Sequence, residues 1–299
     1  MLTLLFLLVV ALTQNASALL LLPSHIASSM VIQRGVGYPL WGLDTVGSTV
    51  TVTYGGIDYK SVADATGRFS VNLPAGPAST TPATITIAST SGGTITLSDI
   101  LVGDVYLESG QSNAELSVLS TVNYTAAVAA ASSYGPLLRL FQVAMLPEYS
   151  NATTPATNLT ASIPWSRASS TSSIAMSALL YYFGVQAVTA RPDIPIGIIA
   201  TSWGGVPIQV WMSPPSLAKC GGAISAMPPS RDALIAAGTV AGASKKAQAL
   251  AVAAMANGKY YSAPEQPSSL YFSMLYPLLS MPIASLFWYQ VREWKLKGP

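Results

Sequence analysis

Three short runs in this chain have the residue types and spacing that acyl chemistry requires. The first is Leu107-Glu108-Ser109-Gly110-Gln111-Ser112-Asn113, in which a serine follows a glycine by two positions at the end of an apolar run. Gly110 permits a sharp turn, and Ser112 falls where a strand gives way to a helix. A hydroxyl placed there can project into a crevice while nearby backbone N–H groups face a developing oxyanion. The second run, Ser202-Trp203-Gly204-Gly205, directly follows the apolar stretch Ile196 to Thr201. Paired glycines let the backbone approach a ligand closely and offer a further N–H donor. The third is Trp288-Tyr289-Gln290. A Gly-x-Ser-x turn on its own is equally well explained as the capped start of a helix. What distinguishes this one is the company of the two other strand ends, in order.

The elements that must carry these runs follow two patterns. From Ile26 to Thr96 the chain reads as short strands: Thr49 to Tyr54 alternates with period two, Gly55-Gly56 marks a tight turn, and Phe69, Val71 and Leu73 share one face. Thr84 to Ile87 and Thr94 to Leu97 repeat the alternation around Ser91-Gly92-Gly93. This pattern predicts an antiparallel β-sandwich over residues 19–99. From Ile100 the apolar runs become continuous, as in strands buried on both faces of a parallel sheet. The candidates are Val102 to Leu107, Leu137 to Val143, Ile196 to Thr201 and Ser285 to Gln290. Ile174, Ala178, Tyr181, Val185 and Val188 form the stripe of a helix over Ile174 to Thr189, ended by Pro192. The expectation is an α/β layer domain over residues 100–290, with an Ala-rich insertion near 233–256. In such sheets ligands bind beyond the carboxyl ends of the strands, where all three runs fall.

Composition narrows the setting. The 299 residues are 51% hydrophobic and only 9% charged, against roughly 25% charged in a typical soluble domain. Net charge is +2 and no basic run precedes the last nine residues, which argues against a nucleic-acid partner. Leu2 to Leu12 has the length of a signal-peptide core, and Ala16-Ser17-Ala18 the small-x-small pattern of a cleavage site, so residues 1–18 read as a signal peptide. Leu19 to Leu22 extends the apolar stretch, and an uncleaved anchor is the alternative. No later window reaches the length of a membrane span, so no stable insertion is expected after cleavage. Three Asn-x-Thr sequons, at Asn123, Asn151 and Asn158, fit a glycoprotein that is secreted or held in the lumen of the secretory pathway. The lone cysteine, Cys220, permits no intrachain disulfide and is either a buried thiol or half of a bridge to another chain. Neither a metal cluster nor thiol catalysis has the partners it needs. The single histidine, His25, lies at the start of the predicted sandwich, where a structural role is the commoner one.

The longer motifs resemble a known family. Gly103-Asp104-Val105-Tyr106-Leu107-Glu108-Ser109-Gly110-Gln111-Ser112-Asn113 is similar to the GDVW-x-x-SGQSN block of the sialate O-acetylesterase family, a branch of the SGNH hydrolases. Pro195 to Trp211 resembles its PIGLI-x-x-SWGGTPIEAW block, Leu270 to Leu278 its LYNGMI-x-PL block, and Phe287 to Gln290 the start of WYQGE-x-N. Met30 to Arg34 resembles MVLQR and Thr66 to Phe69 resembles DGRW, so the likeness runs from about residue 26 to 290. It implies a three-layer α/β/α domain with a parallel sheet, preceded by the sandwich, and an esterase that removes O-acetyl groups from sialic acid or another glycan without metal or cofactor. Ser112 would be the nucleophile. Its N–H and that of Gly204 or Gly205 would form the oxyanion hole, with Gln111 and Asn113 in supporting roles.

The likeness stops at Gln290. The family continues with Gly-Glu-x-Asn and, later, an Asp-x-x-His element that activates the serine, whereas this chain reads Val291 to Pro299, with four of those nine residues charged. Residues 291–299 are therefore read as a non-family tail on an incomplete hydrolase domain. A serine hydroxyl without a base is a weak nucleophile. The expectation is negligible deacetylase activity for this polypeptide alone. The alternative is a noncatalytic protein that holds glycan, with Trp203 and Trp211 as possible stacking platforms and core packing as the competing role of Trp211.

Overall fold

A computed structural model describes residues 20–220, 264 and 266–290. The signal-peptide segment, the Ala-rich segment near 233–256 and the tail at 291–299 lie outside the described residues. The first strands are β1 (Val31–Gln33), β2 (Tyr38–Leu43), β3 (Thr49–Tyr54), β4 (Ile57–Val62), β5 (Arg68–Leu73) and β6 (Ser79–Ser89), followed by the long β7 (Thr94–Gly110). Val50 and Val52 of β3 are fully buried while the threonines between them are half-exposed, the period-two pattern of a strand with one face on the core. Gly55 and Gly56 both have positive φ, 59° and 78°, which is what a two-residue hairpin between β3 and β4 demands. Strands β2 and β5 pair as a separate two-stranded sheet, and Leu40, Phe69, Val71 and Leu73 join Val50, Val52, Ile85 and Ile87 in one core.

Strand β7 links the two sequence patterns. Its first part pairs antiparallel with β6, and its second part lies parallel to its neighbours. The change from alternating to continuous apolar sequence at Ile100 falls inside this one strand, and nearly every residue from Ile100 onward is buried. The chain then forms α1 (Ser112–Glu115), α2 (Tyr124–Tyr134), β8 (Leu138–Val143), β9 (Ala161–Arg167), α3 (Ser170–Ile174), α4 (Ala178–Ala190), β10 (Ile196–Ala200), α5 (Pro214–Lys219) and β11 (Ser285–Tyr289). Across the sheet the order is β11, β7, β10, β8, all parallel, with β9 antiparallel at the far edge. This is a mixed α/β fold whose large sheet has parallel and antiparallel parts.

Both faces of the parallel strands are covered. On one, Leu180, Tyr181, Ala187 and Val188 of α4 pack with Leu138, Leu140, Ile196 and Ile198. On the other, Phe141, Leu107 and Ile199 share a core with Trp203, Trp211, Leu270, Met274 and Leu278. The expected single helix from Ile174 to Thr189 is in fact two. Helix α3 stops at Ile174, and Ser177 caps α4, its Oγ accepting from Leu180 N–H at 3.4 Å. Serine competes for local backbone donors, and here that competition breaks the apolar stripe into two helices. The base of β7 is clamped by charge. Asp99, at φ 60°, accepts from Arg139 at 3.1 Å and Arg167 at 2.7 Å, and Asp104 accepts from Arg34 at 2.8 Å and Arg191 at 3.2 Å. Burial acts to raise both carboxyls, but these bonds outweigh it and hold them below the usual carboxylate range.

Candidate active site

The serine turn is held by the strands on either side of it. At the end of β7, Gly110 has φ +140°, and a Cβ there would lie 2.0 Å from the Tyr289 carbonyl oxygen. Only glycine lets the two backbones approach so closely. Gln111 N–H donates to that carbonyl at 3.1 Å, while the Gly110 carbonyl accepts from Trp203 N–H at 3.1 Å. The turn is thus tied to β11 on one side and to the loop after β10 on the other. All three runs singled out in the sequence converge here.

Ser112 is the first residue of α1 and is exposed, as is Asn113, whereas Gln111 is buried. Among the described residues no group hydrogen-bonds the Ser112 Oγ. Gly204 packs against it directly: a Cβ at Gly204 would stand 3.3 Å from both Cα and Cβ of Ser112. Gly205, the next residue, is exposed with φ 76°. The Gly204 N–H is already engaged, donating to a Glu115 carboxylate oxygen. Gln290 reaches the same loop, its Nε2 donating to the Val206 carbonyl at 3.1 Å.

Two carboxyls that sequence reasoning passed over lie in or under this site. Glu115 follows Ser112 by three residues, one helical turn, a spacing that could have drawn attention to it. Burial raises its pKa, and the Gly204 N–H pulls the other way. Glu108 lies in the buried run that closes β7, with no exposed surface, and among the described residues neither of its carboxyl oxygens has a hydrogen-bond partner. Burial pushes its pKa up to about 8; the Ser177 hydroxyl beside it, outside good hydrogen-bond geometry, offsets a part, and Glu115 adds to the rise. A cavity of about 280 Å³ opens beside Glu115, lined also by Gln142, Met145, Ser162 and Ser202.

Other expectations are placed differently. Trp203 and Trp211 are buried in the apolar core, Trp211 edge-on to Trp288 with ring centroids 5.8 Å apart, so neither ring is free to stack on sugar. Cys220 is exposed, not a buried thiol. His25 is buried, its ring 6.1 Å from that of Trp41 and its Nδ1 without a partner among the described residues, and burial lowers its pKa to about 4. Asn123, Asn151 and Asn158 are exposed, the Asn158 Oδ1 accepting from Ser24 N–H at 2.8 Å. Among the described residues no helix is long and apolar enough to cross a membrane, and no three potential ligands gather as a metal site.

No protein-family model matches the chain. Among curated proteins, it is 30% identical over 284 residues to the sialate O-acetylesterase of Rattus norvegicus, covering 89% of this chain and 51% of that one. The human sialate O-acetylesterase is 30% identical over 288 residues, covering 89% and 47%. Among solved structures, a carbohydrate acetylesterase from Xanthomonas citri superposes with a TM-score of 0.68 at 28% identity, covering 91% of this chain and 52% of that one. The chain thus spans about half the length of the relatives it matches. With the ordered motifs, the strand-end serine and these relatives in agreement, the chain belongs to the sialate O-acetylesterase family.

Proposed function

We propose that this chain carries the nucleophile and oxyanion elements of a serine esterase acting on O-acetylated glycans. The observation that carries this reading is Ser112, exposed on the turn after β7 with Gly204 packed on its Cβ. In the reaction, Oγ attacks the acetyl carbonyl and gives its proton to a base. The carbonyl oxygen becomes an oxyanion that the Ser112 N–H and a Gly204 or Gly205 N–H would receive. The bond to the sugar oxygen then breaks, the sugar leaves as an alcohol after taking up a proton, and water releases acetate from the acetyl-serine. Gln111 and Asn113 would hold the turn in shape. For Gly204 to serve, Glu115 must release its N–H.

No residue in this polypeptide is assigned as the base. Its one imidazole, His25, is enclosed beside Trp41. Acetyl-ester turnover by these 299 residues alone is accordingly expected to be slower than that of a complete relative by several powers of ten. The test is hydrolysis of a chromogenic acetyl ester, with covalent labelling of Ser112 by excess fluorophosphonate over prolonged exposure, since a serine without a base reacts slowly, in wild type and Ser112→Ala. Labelling at Ser112 that disappears in the variant supports the reading. Labelling elsewhere, or turnover that survives Ser112→Ala, defeats it.

A second reading, glycan binding without turnover, is favoured by one observation: the Gly204 donor is occupied by Glu115 and not open to an oxyanion. The exposure of all three sequons supports placing the protein in the secretory pathway.

A further inference from the structure

The cavity beside Glu115, one helical turn after Ser112, has a chemical character of its own. It lies at the carboxyl end of β8, lined by Gln142 and Val143 of that strand together with Ser162 of β9 and Ser202 after β10. Among its lining residues Glu115 is the only charged one. That carboxylate is fixed in place: it hydrogen-bonds the Gly204 N–H, and Gly204 in turn packs on the Ser112 Cβ. A ligand in the cavity whose ester reached Ser112 would therefore lie against a half-buried negative group. The polar atoms around it suit hydroxyls. A carboxylate accepts them, the Ser162 and Ser202 hydroxyls donate or accept, and the Gln142 amide, whose oxygen already accepts from Ser177 N–H at 3.2 Å, keeps its NH2 to donate.

The described arginines that form ion pairs are elsewhere. Arg34 and Arg191 close on Asp104, and Arg139 and Arg167 on Asp99. Asp104 precedes Gly110 by six strand residues, roughly 20 Å at the usual rise of a strand. These cations are at the wrong end of β7 to meet an anionic sugar held beside Ser112.

Resting on the reading of Ser112 as nucleophile, we propose that Glu115 makes this site selective for acetyl esters of uncharged sugars. Its carboxylate accepts ring hydroxyls of a neutral glycan and repels a sugar that bears its own carboxylate. Two like charges about 6 Å apart in a partly screened site lower the affinity of the anionic sugar by about ten-fold or more. The selectivity is thus for a class of substrate that the sialate esterases' name does not describe.

The test uses one sugar in two charge states, so that shape is held constant. Mono-O-acetylated N-acetylneuraminic acid is compared with its methyl ester, alongside a mono-O-acetylated neutral methyl glycoside. Rates (kcat/KM) are measured for the full chain and for Glu115→Gln, which keeps an oxygen for the Gly204 N–H but removes the charge. Binding of the three sugars to Ser112→Ala is followed by NMR and needs no turnover. The expected result is a preference of about ten-fold or more for both uncharged sugars over the acid, shrinking to about two-fold in Glu115→Gln. Should that variant fail to fold, the same preference must appear in binding to Ser112→Ala. Equal binding or turnover of acid and ester, a gap that Glu115→Gln leaves unchanged, or no binding of any sugar overturns the proposal. Selective binding without measurable hydrolysis leaves the selectivity standing, and failure of Ser112 to take up the fluorophosphonate then defeats only the esterase reading.

Discussion

At the scale of single residues, the site depends on positions where no side chain fits. Gly110 combines a φ of +140° with a carbonyl oxygen 2.0 Å from where a Cβ would be. Gly110→Ala must therefore separate β7 from β11 or distort the turn, and it is expected to cost more than about 3 kcal/mol of stability, read from urea unfolding. The same variant should abolish fluorophosphonate labelling of Ser112, because the serine is aimed by that turn. This requirement was legible in the sequence: a glycine two positions before a serine at a strand end announces a sharp turn. The role of Glu115 was not. Its partner, Gly204, is 89 residues away, and no local pattern marks an acid that will reach across to another strand's loop. Trp203 and Trp211 show the converse, since an aromatic beside a glycine pair looks available for stacking until its surroundings are known.

At the scale of elements, β11 matters most. It pairs with β7 and is the outermost of the described parallel strands, with Leu286 50% exposed, Trp288 38% and Tyr289 42%. A strand of this kind presents unpaired backbone donors and acceptors together with apolar side chains, which favours edge-to-edge association. Leu286→Lys is expected to reduce self-association, seen by sedimentation velocity, and to change stability by no more than about 0.5 kcal/mol, the usual range for an exposed position. Unchanged association would show that this edge is not the contact. The split between α3 and α4 is the element-scale detail that periodicity hid. An apolar stripe continues smoothly through Met176, and the break becomes evident only when Ser177 is seen to cap one helix while its N–H donates to Gln142 of β8.

For the whole molecule, two buried groups with opposed titrations shape stability against pH. Glu108 keeps its proton to about pH 8 in the folded chain, against 4.5 for an ordinary glutamate, so between these values the folded state holds the extra proton and stability falls as pH rises. His25 stays neutral down to about pH 4, against 6.5, so between these values the unfolded state holds the extra proton and stability falls as pH drops. Where the two windows overlap, from 4.5 to 6.5, the slopes cancel and a plateau is expected. Above 6.5 only Glu108 acts, and stability should decline by about 2 kcal/mol by pH 8. Glu108→Gln should flatten that decline in urea unfolding between pH 6.5 and pH 8 and turn the plateau from 4.5 to 6.5 into a fall toward acid, the His25 slope no longer being cancelled. A decline that persists in the variant would assign it to other groups. Asp99 and Asp104, held ionised by their arginines, add a further loss below the usual carboxylate range.

The sequence by itself determined the strands, the turns and the residue offered as nucleophile, because each of these depends on near neighbours. Alternation set which face of β3 and β5 turned inward, continuous apolar runs marked the parallel strands, and glycines marked the tight approaches. Only the tertiary structure decided what stands beside Ser112. Glu115, Gly204, Gln142 and the Tyr289 carbonyl come from four segments that a parallel sheet brings to one rim, and whether a carboxylate there is solvated, buried or bonded to an N–H is a property of that rim. A charge's environment depends on everything within a few ångströms of it, and in this fold most of those atoms belong to residues far away in the chain.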